Sequence, residues 1–537
     1  VIPFIFNTDQ AYCLEFGNLY LRIHTEGSTV LESTKTISGA TQANPCVITA
    51  TSHGYSNAEE VYITAVVGMT ELNGRYYKVA NQTTHTFEIT DLQGNNINSS
   101  AYTAYGSAGT AARVYTVTTP YTTADLFDIN YTQSADVMTL VHPTYAPREL
   151  KRLGATNWTI STITFAPGIS APGSVSLTAD PSSGSLTYKY VVTALSDILE
   201  ESVASAEVTT STQDLSIDGN ENTISWGAVS GSSRYNVYKD DNGVHGYIGQ
   251  TPDTSFVDNN IEADVLISPP VNQTPFSGTN NYPSTASYHD QRRVFAATNN
   301  FPQSTWMTRP GTESNLSKSI PSQDDDSILF TLSARQFNRV RHLIPLDELI
   351  IFTSATEWKL TTENSDALTP ITIALRPQSY VGSGNRQPIV SGDAVLFVAD
   401  LGGHVYDMNY TFETDKYKPR NISIIAPHLF DSYTISDWGY SSVPTSLVWA
   451  VRSDGRLIGL TYLSGQKPDV LGWHIHNTDG EFESVAVIPE SSGEKMLYAI
   501  IKRRINAVNR RFIERLHSRI FTDVRDAFHV DSGLSYN

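Results

Sequence analysis

The sequence predicts a mainly β fold, a propeller-like β body interrupted by an inserted small β-barrel and an inserted fibronectin type III-like β-sandwich. Three observations carry this. Runs of β-branched and aromatic residues joined by tight turns recur between about residues 284 and 519, centred near residues 294, 350, 396, 448 and 498. That spacing of roughly 50 residues is the period of propeller blades or a similar β array. Helix signals are scarce, while Thr, Ser, Tyr, Val and Ile dominate, and these suit pleated, half-buried surfaces. Finally, two stretches of different texture, 37–118 and 171–275, break the pattern.

Taken in order, residues 1–36 read as the first part of the body: two strands, at about 2–6 and 11–23, with a turn near Glu15-Phe16-Gly17-Asn18. Alternation at Tyr12, Leu14 and Phe16 predicts a strand with one buried face. Residues 37–118 read as a small β-barrel inserted in a surface loop. Its turns fall at His53-Gly54-Tyr55 and at Asn73-Gly74, the second a strong hairpin signal. The run HGYSNAEEVYITAVVGMTELNGRYYKV resembles the small β-barrel modules that recur in phage tail proteins and in ubiquitin-activating enzymes. That resemblance implies a binding or spacer role without chemistry.

Residues 119–170 form one body blade, with strands at about 137–142, 148–153 and around Trp158, and Pro143 and Pro147 bracketing a turn. Residues 171–275 hold strands with turns at near ten-residue spacing. Trp226, followed by YNVYK at 235–239, resembles a fibronectin type III domain, whose two sheets bury such positions between them; the resemblance implies display or adhesion. Residues 276–537 are the main body. Within it, about 334–343 reads as a short helical piece with Phe337, Val340 and Ile344 on one stripe.

At 537 residues the chain exceeds one ordinary core, and roughly two to four domains are expected. A net charge of −19 argues against a general nucleic-acid-binding surface. Cys13 and Cys46 are the only cysteines, too few for a disulfide framework or a metal clip. No apolar run reaches the roughly 20 residues of a membrane span, so an integral membrane protein is not expected. Both ends, VIPFIF and DSGLSYN, read as cuts through a longer chain.

The chemistry-bearing residues point away from an enzyme and from any cofactor or metal. His474 and His476 share a strand face but lack a third ligand. Asp324-Asp325-Asp326 reads as a solvated loop ahead of a strand, with oxygen ligation of a hard cation as the alternative. Asp240-Asp241-Asn242-Gly243 is a hairpin turn. No nucleophile elbow, zinc-protease motif, P-loop or complete dinucleotide fingerprint occurs. The charge is most unequal near the end of the chain. Lys502, Arg503, Arg504, Arg510, Arg511, Arg515, Arg519 and Arg525 face only Glu514, Asp523 and Asp526 locally. A subunit interface is the preferred reading of this strip, nucleic-acid contact the alternative.

Five blocks in one order then point to a family. VIPFIFNTDQAYCLEFGNLYLRIHTEG, ADVMTLVHPTYAPRELKRLGATNWTI, YHDQRRVFAATNNFPQSTWMTRPG, SARQFNRVRHLIPLDELIIFTSATEWKL and FIERLHSRIFTDVRDAFHVDSGLSYN resemble successive segments of tail hub or nozzle proteins of short-tailed bacteriophages, the podoviruses. The resemblance covers most of 1–36, 120–165 and 281–537 and leaves the two modules as variable additions. It implies a structural virion protein: a homo-hexameric tube below the tail adaptor protein. Genomic DNA leaves through its lumen without sequence-specific binding, and tail fibres or spikes dock around it near the host cell surface. No catalytic residue comes with the family. The competing reading is a host-surface adhesin or a polysaccharide-cleaving tail protein, because propellers also host glycosidases.

Overall fold

A computed structural model describes residues 1–7, 10–363, 365, 367–463 and 469–527, without the side chain of Asp526. Among the described residues it contains strands and short 3-10 turns and no α-helix. Seven sheets build the body, each an antiparallel blade. The first blade joins Ile2–Ile5, Ala11–Gly17, Tyr20–Thr25 and, from far along the chain, Thr116–Thr118, with Ser28–Thr29 as a short extra pairing. The second joins Asn130–Ser134, Val137–His142, Tyr145–Gly154 and Asn157–Thr162; the third joins Thr285–His289, Arg292–Ala296, Ser304–Met307 and Ile328–Thr331. Val340–Pro345, Leu349–Thr353, Glu357–Thr362 and Ile373–Ser379 make the fourth. The fifth is Ile389–Ser391, Ala394–Val398, Val405–Thr411 and Lys416–Asn421, and the sixth Ile435–Ser441, Leu447–Arg452, Leu457–Leu463 and Val470–His476. The last blade has three strands, Glu481–Pro489, Lys495–Ile505 and Val508–Arg515.

Side-chain packing closes these blades into a ring. One apolar cluster fills each seam, for example Phe4, Leu14, Met138 and Trp158 between the first and second blades. Ile350 and Phe352 meet Val395 and Phe397 between the fourth and fifth. The ring shuts where Ala11 and Cys13 of the first blade meet Ala486, Ile488, Met496 and Tyr498 of the last. The result is a propeller-like ring of seven blades with the first strand of each blade on the inside.

Packing on two sides explains why central strands lack alternation. Leu349–Thr353 and Ala394–Val398 are buried at every position, because odd and even residues enter different seams. The same holds for Ala11–Gly17, where the expected single buried face is wrong: Tyr12 and Leu14 pack toward the second blade while Cys13 packs toward the last. The helical piece expected near 334–343 is also absent. Residues 335 and 336 form a bend, 337–339 are irregular, and Val340–Pro345 is the inner strand of a blade. Its apparent stripe splits three ways: Phe337 is exposed, Val340 enters one seam and Ile344 the next.

Two further bodies grow from this ring. Between the third and fourth strands of the first blade, Lys35–Thr36 pairs with Ser107–Arg113 and opens a seven-stranded sheet. Its core holds Ile48, Val61, Leu72, Phe87 and Ala111. The connection at Asn73-Gly74 is not a two-residue hairpin; a 3-10 turn, Thr70–Leu72, precedes it, and the Asn73 amide bonds the Val66 backbone. Between the second and third blades, a three-stranded and a four-stranded sheet enclose Tyr190, Val192, Ile224, Trp226 and Tyr235. Asp240–Gly243 is its hairpin turn, with Asn242 and Gly243 both at positive φ (53° and 91°), as a primed turn requires.

Candidate functional site

All seven inner strands begin at one end of the ring, so the residues just ahead of them gather around one mouth of the central channel. Arg339 precedes Val340–Pro345, and Asn385, Arg386 and Gln387 precede Ile389–Ser391. With Arg341 they line a cavity of about 1660 Å³ that enters the channel and extends along the seam between the last and first blades. Deeper in the ring a second cavity of about 430 Å³ is lined by Gln133, Tyr288, Ile344 and Pro388.

The segment bearing Arg386 is held from several sides. The Gly382 N–H donates to Glu357 Oε1 at 2.9 Å, Ser383 N–H to the Thr353 carbonyl at 2.8 Å, and Gly384 N–H to the Val398 carbonyl at 2.8 Å. His342 Nε2 donates to the Gly384 carbonyl at 3.0 Å. Trp438 Nε1 reaches from the sixth blade to the Gln387 carbonyl at 2.7 Å, and the Gln387 amide points across the channel to the Tyr131 carbonyl of the second blade at 3.4 Å. Gly382, at φ 79°, tolerates no Cβ, which would lie 2.4 Å from the Ser354 carbonyl oxygen. Burial pushes the Glu357 carboxyl up, and it drives His342 down to about 3, helped by Arg341 and Arg386 nearby. Burial thus works against the charged form of each group.

The charges around the mouth divide by pairing. On the sixth and seventh blades, Asp437 accepts from Ser484 Oγ at 2.5 Å and from the Val485 N–H at 3.0 Å. Asp454 pairs with Arg452, Glu481 with Lys502 at 2.9 Å, and Glu483 with Arg511 at 2.6 Å. On the fourth and fifth blades Arg341 pairs with Asp400, and Arg339 and Arg386 have no ion-pair partner among the described residues. Arg339 donates to Asn299 Oδ1 at 3.2 Å, Arg341 to Asn385 and, at 3.4 Å, to Asp400, and Arg386 lies over the ring of Phe127 at 5.9 Å. Burial and the neighbouring Arg341 lower the Arg339 pKa.

The basic strip of the last blade differs from its sequence reading. Lys502 pairs with Glu481, Arg503 with Glu514, Arg511 with Glu483, Arg515 with Glu490 and Arg519 with Glu494. Most of these acids come from the preceding strand and turn of the same blade, which local counting along the chain could not see. Arg525 pairs with Asp523; the Asp526 side chain and residues 528–537 of the fifth resembling block lie outside the described residues. Only Arg504 and Arg510 of the strip have no ion-pair partner among the described residues, and Arg510 lies close enough to Asp91 to lower its pKa. The outer edge of Val508–Arg515 pairs with no strand among the described residues.

The other candidates lie among protein partners. His474 Nδ1 and His476 Nε2 face each other at 2.8 Å beside Trp449, and burial lowers both pKa values. Asp326, fully buried, accepts from the Ser319 and Gln323 N–H groups at 2.8 Å and pairs with Arg309 at 3.2 Å. No group of three or more metal-ligating side chains occurs among the described residues. Nor is any helix among them long and apolar enough to cross a membrane. Sequence reasoning missed the arginines of the channel mouth; the signal was their position directly ahead of two inner strands.

Residues 43–114, within the seven-stranded body, match the family described as the ubiquitin-activating enzyme E1 FCCH domain. No curated protein matches the chain. Similar solved structures include the Cps50 (Swd1) β-propeller domain of Myceliophteria thermophila, 8% identical with TM-score 0.28, covering 69% of this chain and 95% of that one. A second, from Bacteroides uniformis, carries the name of a 6-phosphogluconolactonase and is 11% identical with TM-score 0.30, covering 62% and 95%. A third is the Pan2 WD40 domain of Neurospora crassa, 8% identical with TM-score 0.27, covering 69% and 87%.

Proposed function

We propose that this chain is a structural subunit of a short phage tail, forming a ring-shaped nozzle or hub that conducts DNA during ejection and carries fibres or spikes. The observation that carries the reading is the distribution of the five resembling blocks. They fall on the first four blades, on the last strand of the ring and on the segment C-terminal to that strand, while the two insertions fall outside them. A frame kept in order and broken only between its strands or blades is what a scaffold with exchangeable attachments needs.

In this reading, residues 37–118 are a small β-barrel module, a reading supported by the FCCH match over 43–114. Residues 171–275 are a fibronectin type III-like module, supported by the buried Trp226 against Tyr235 at 5.3 Å. Both act as spacers or docking modules, the second facing outward toward fibres or the host. The unpaired edge of Val508–Arg515, with Arg504 and Arg510 free of ion pairs among the described residues, suits contact with a neighbouring subunit of an acidic chain. Six copies at −19 each would give a lumen wall that repels phosphates within about 8 Å, the Debye length at physiological salt.

Electron microscopy of the purified protein tests this. A closed ring of six with a central passage is expected, whereas trimers or monomers that bind glycan by themselves would refute the assembly. A ring with residues 171–273 inside the lumen would refute the placement of the second module.

A further inference from the structure

The cavity at the mouth of the ring reaches Arg510 of the last blade, but its most basic side lies on the fourth and fifth blades. We propose that the Arg339, Arg341 and Arg386 side of the channel mouth binds an acidic polypeptide segment. Three arginines of two adjacent blades share one cavity of about 1660 Å³, and the nearest carboxylate contact among the three is Asp400, 3.4 Å from Arg341. The loop carrying Arg386 is fixed by six hydrogen bonds from four directions, and Arg341 lies in the strand Val340–Pro345 with Arg339 directly ahead of it, so little ordering is required when a ligand arrives. The Arg386 guanidinium carbon lies 5.9 Å from the centre of the Phe127 ring, a cation–π contact that leaves its N–H groups for a carboxylate.

The cavity's opposite wall decides between a peptide and a nucleic acid. Asp437, Glu481 and Glu483 line it, and Asp128 lies close enough to Arg339 to act on its charge. Arg510 and Arg511 line it too, and Glu481 and Glu483 are paired with Lys502 and Arg511, so this wall offers a continuous phosphate backbone no net positive charge. A polypeptide instead places acids on the arginine side and neutral backbone amides toward the paired acids opposite. The Gln387 bridge to Tyr131 crosses the channel, so the segment enters at the mouth and does not thread the ring.

The test uses the full chain, fluorescein-labelled hexaglutamate as probe, and anisotropy at 0.05 M and 0.15 M salt. Binding is expected to weaken roughly tenfold for each of Arg339→Gln and Arg386→Gln, and to weaken with salt. Arg525→Gln, whose side chain pairs with Asp523 and does not line the cavity, should leave it unchanged. Hydrogen exchange gives a second reading: the peptide should slow amides of residues 380–388 in the unaltered protein but not in Arg386→Gln. Absence of binding, or binding by the two channel variants equal to that of the unaltered protein, overturns the proposal. So does tighter binding of a single-stranded DNA 12-mer with the same dependence on Arg339 and Arg386, or displacement by inorganic phosphate at the peptide's own concentration. Each of these outcomes is independent of ring assembly, which the peptide assay does not read.

Discussion

Replacing Arg515 by Ala should destabilise the last blade by about 3–5 kcal/mol, the cost of leaving a buried carboxylate without its cation. The carboxylate is Glu490, whose side chain is 1% exposed. It accepts Arg515 Nε at 3.0 Å, a second bond from Arg515 Nη2, and the Tyr498 hydroxyl at 2.5 Å. Tyr498 in turn accepts the Gly27 N–H of the first blade at 2.7 Å and packs against Cys13, so the pair braces the seam that closes the ring. After Arg515→Ala the charge on Glu490 keeps only the phenol, and water can reach it only by opening the seam.

The assay is native-state hydrogen exchange of the amides in 481–515, which reads the opening free energy of this blade without requiring the whole chain to unfold in one step. The double variant Glu490→Gln/Arg515→Met removes both charges and keeps the volume, and should recover to within about 1 kcal/mol of the unaltered protein. Arg511→Ala, whose partner Glu483 lies in an exposed pair, should cost no more than about 1 kcal/mol. A cost below about 1 kcal/mol for Arg515→Ala, or a double variant as unstable as the single one, would refute the reasoning.

Other consequences are as direct. His342 binds a proton only near pH 3 when folded and near 6.5 when unfolded, so below pH 6.5 the unfolded chain holds more protons and stability falls with acid. Between pH 7 and 4 the loss is about 3 kcal/mol, and His342→Asn should remove that part of the slope in acid-unfolding curves. Phe352→Ala, at a fully buried position between two blades, should cost about 3–5 kcal/mol in the same exchange experiment. Trp226→Ala should make 171–275 sensitive to limited proteolysis while the exchange of the ring amides stays unchanged. Arg504→Glu with Arg510→Glu should abolish higher oligomers in mass photometry and leave the unfolding midpoint of the monomer unaltered; an intact ring would remove these residues from the interface.

Much of the body was legible because a blade repeats its most apolar strand. Leu349–Thr353, Ala394–Val398 and Leu447–Arg452 are buried at every position and stand out by composition alone. The inner strand Asn130–Ser134 did not, since NYTQS faces the channel and carries little apolar signal. The helical misreading of 334–343 has the opposite cause: a strand packed on both faces has no period of two, and three apolar residues can then mimic a helical stripe. The basic strip was visible as composition and misleading as charge. Glu481, Glu483, Glu490 and Glu494 return beside it only because a hairpin folds the strand before it back on Lys495–Ile505.

Pairing, and not composition, therefore sets the polarity of this protein's inner surface. Each inner strand delivers its leading residues to the same mouth, and each blade then neutralises what it can from its own hairpins. The sixth and seventh blades have basic residues on their second and third strands, at Arg452, Lys502 and Arg511, that reach acids near the mouth. The fourth and fifth blades do not. Arg420 is drawn outward instead, to the buried Asp407 and to Asp469 of the next blade, and Lys359 pairs with Glu348 at 2.8 Å away from the mouth. Arg339 and Arg386 are what remains. A chain of net charge −19 thus presents a positive wall to one half of its channel mouth, and a ligand entering there meets local charges that the overall charge does not foretell.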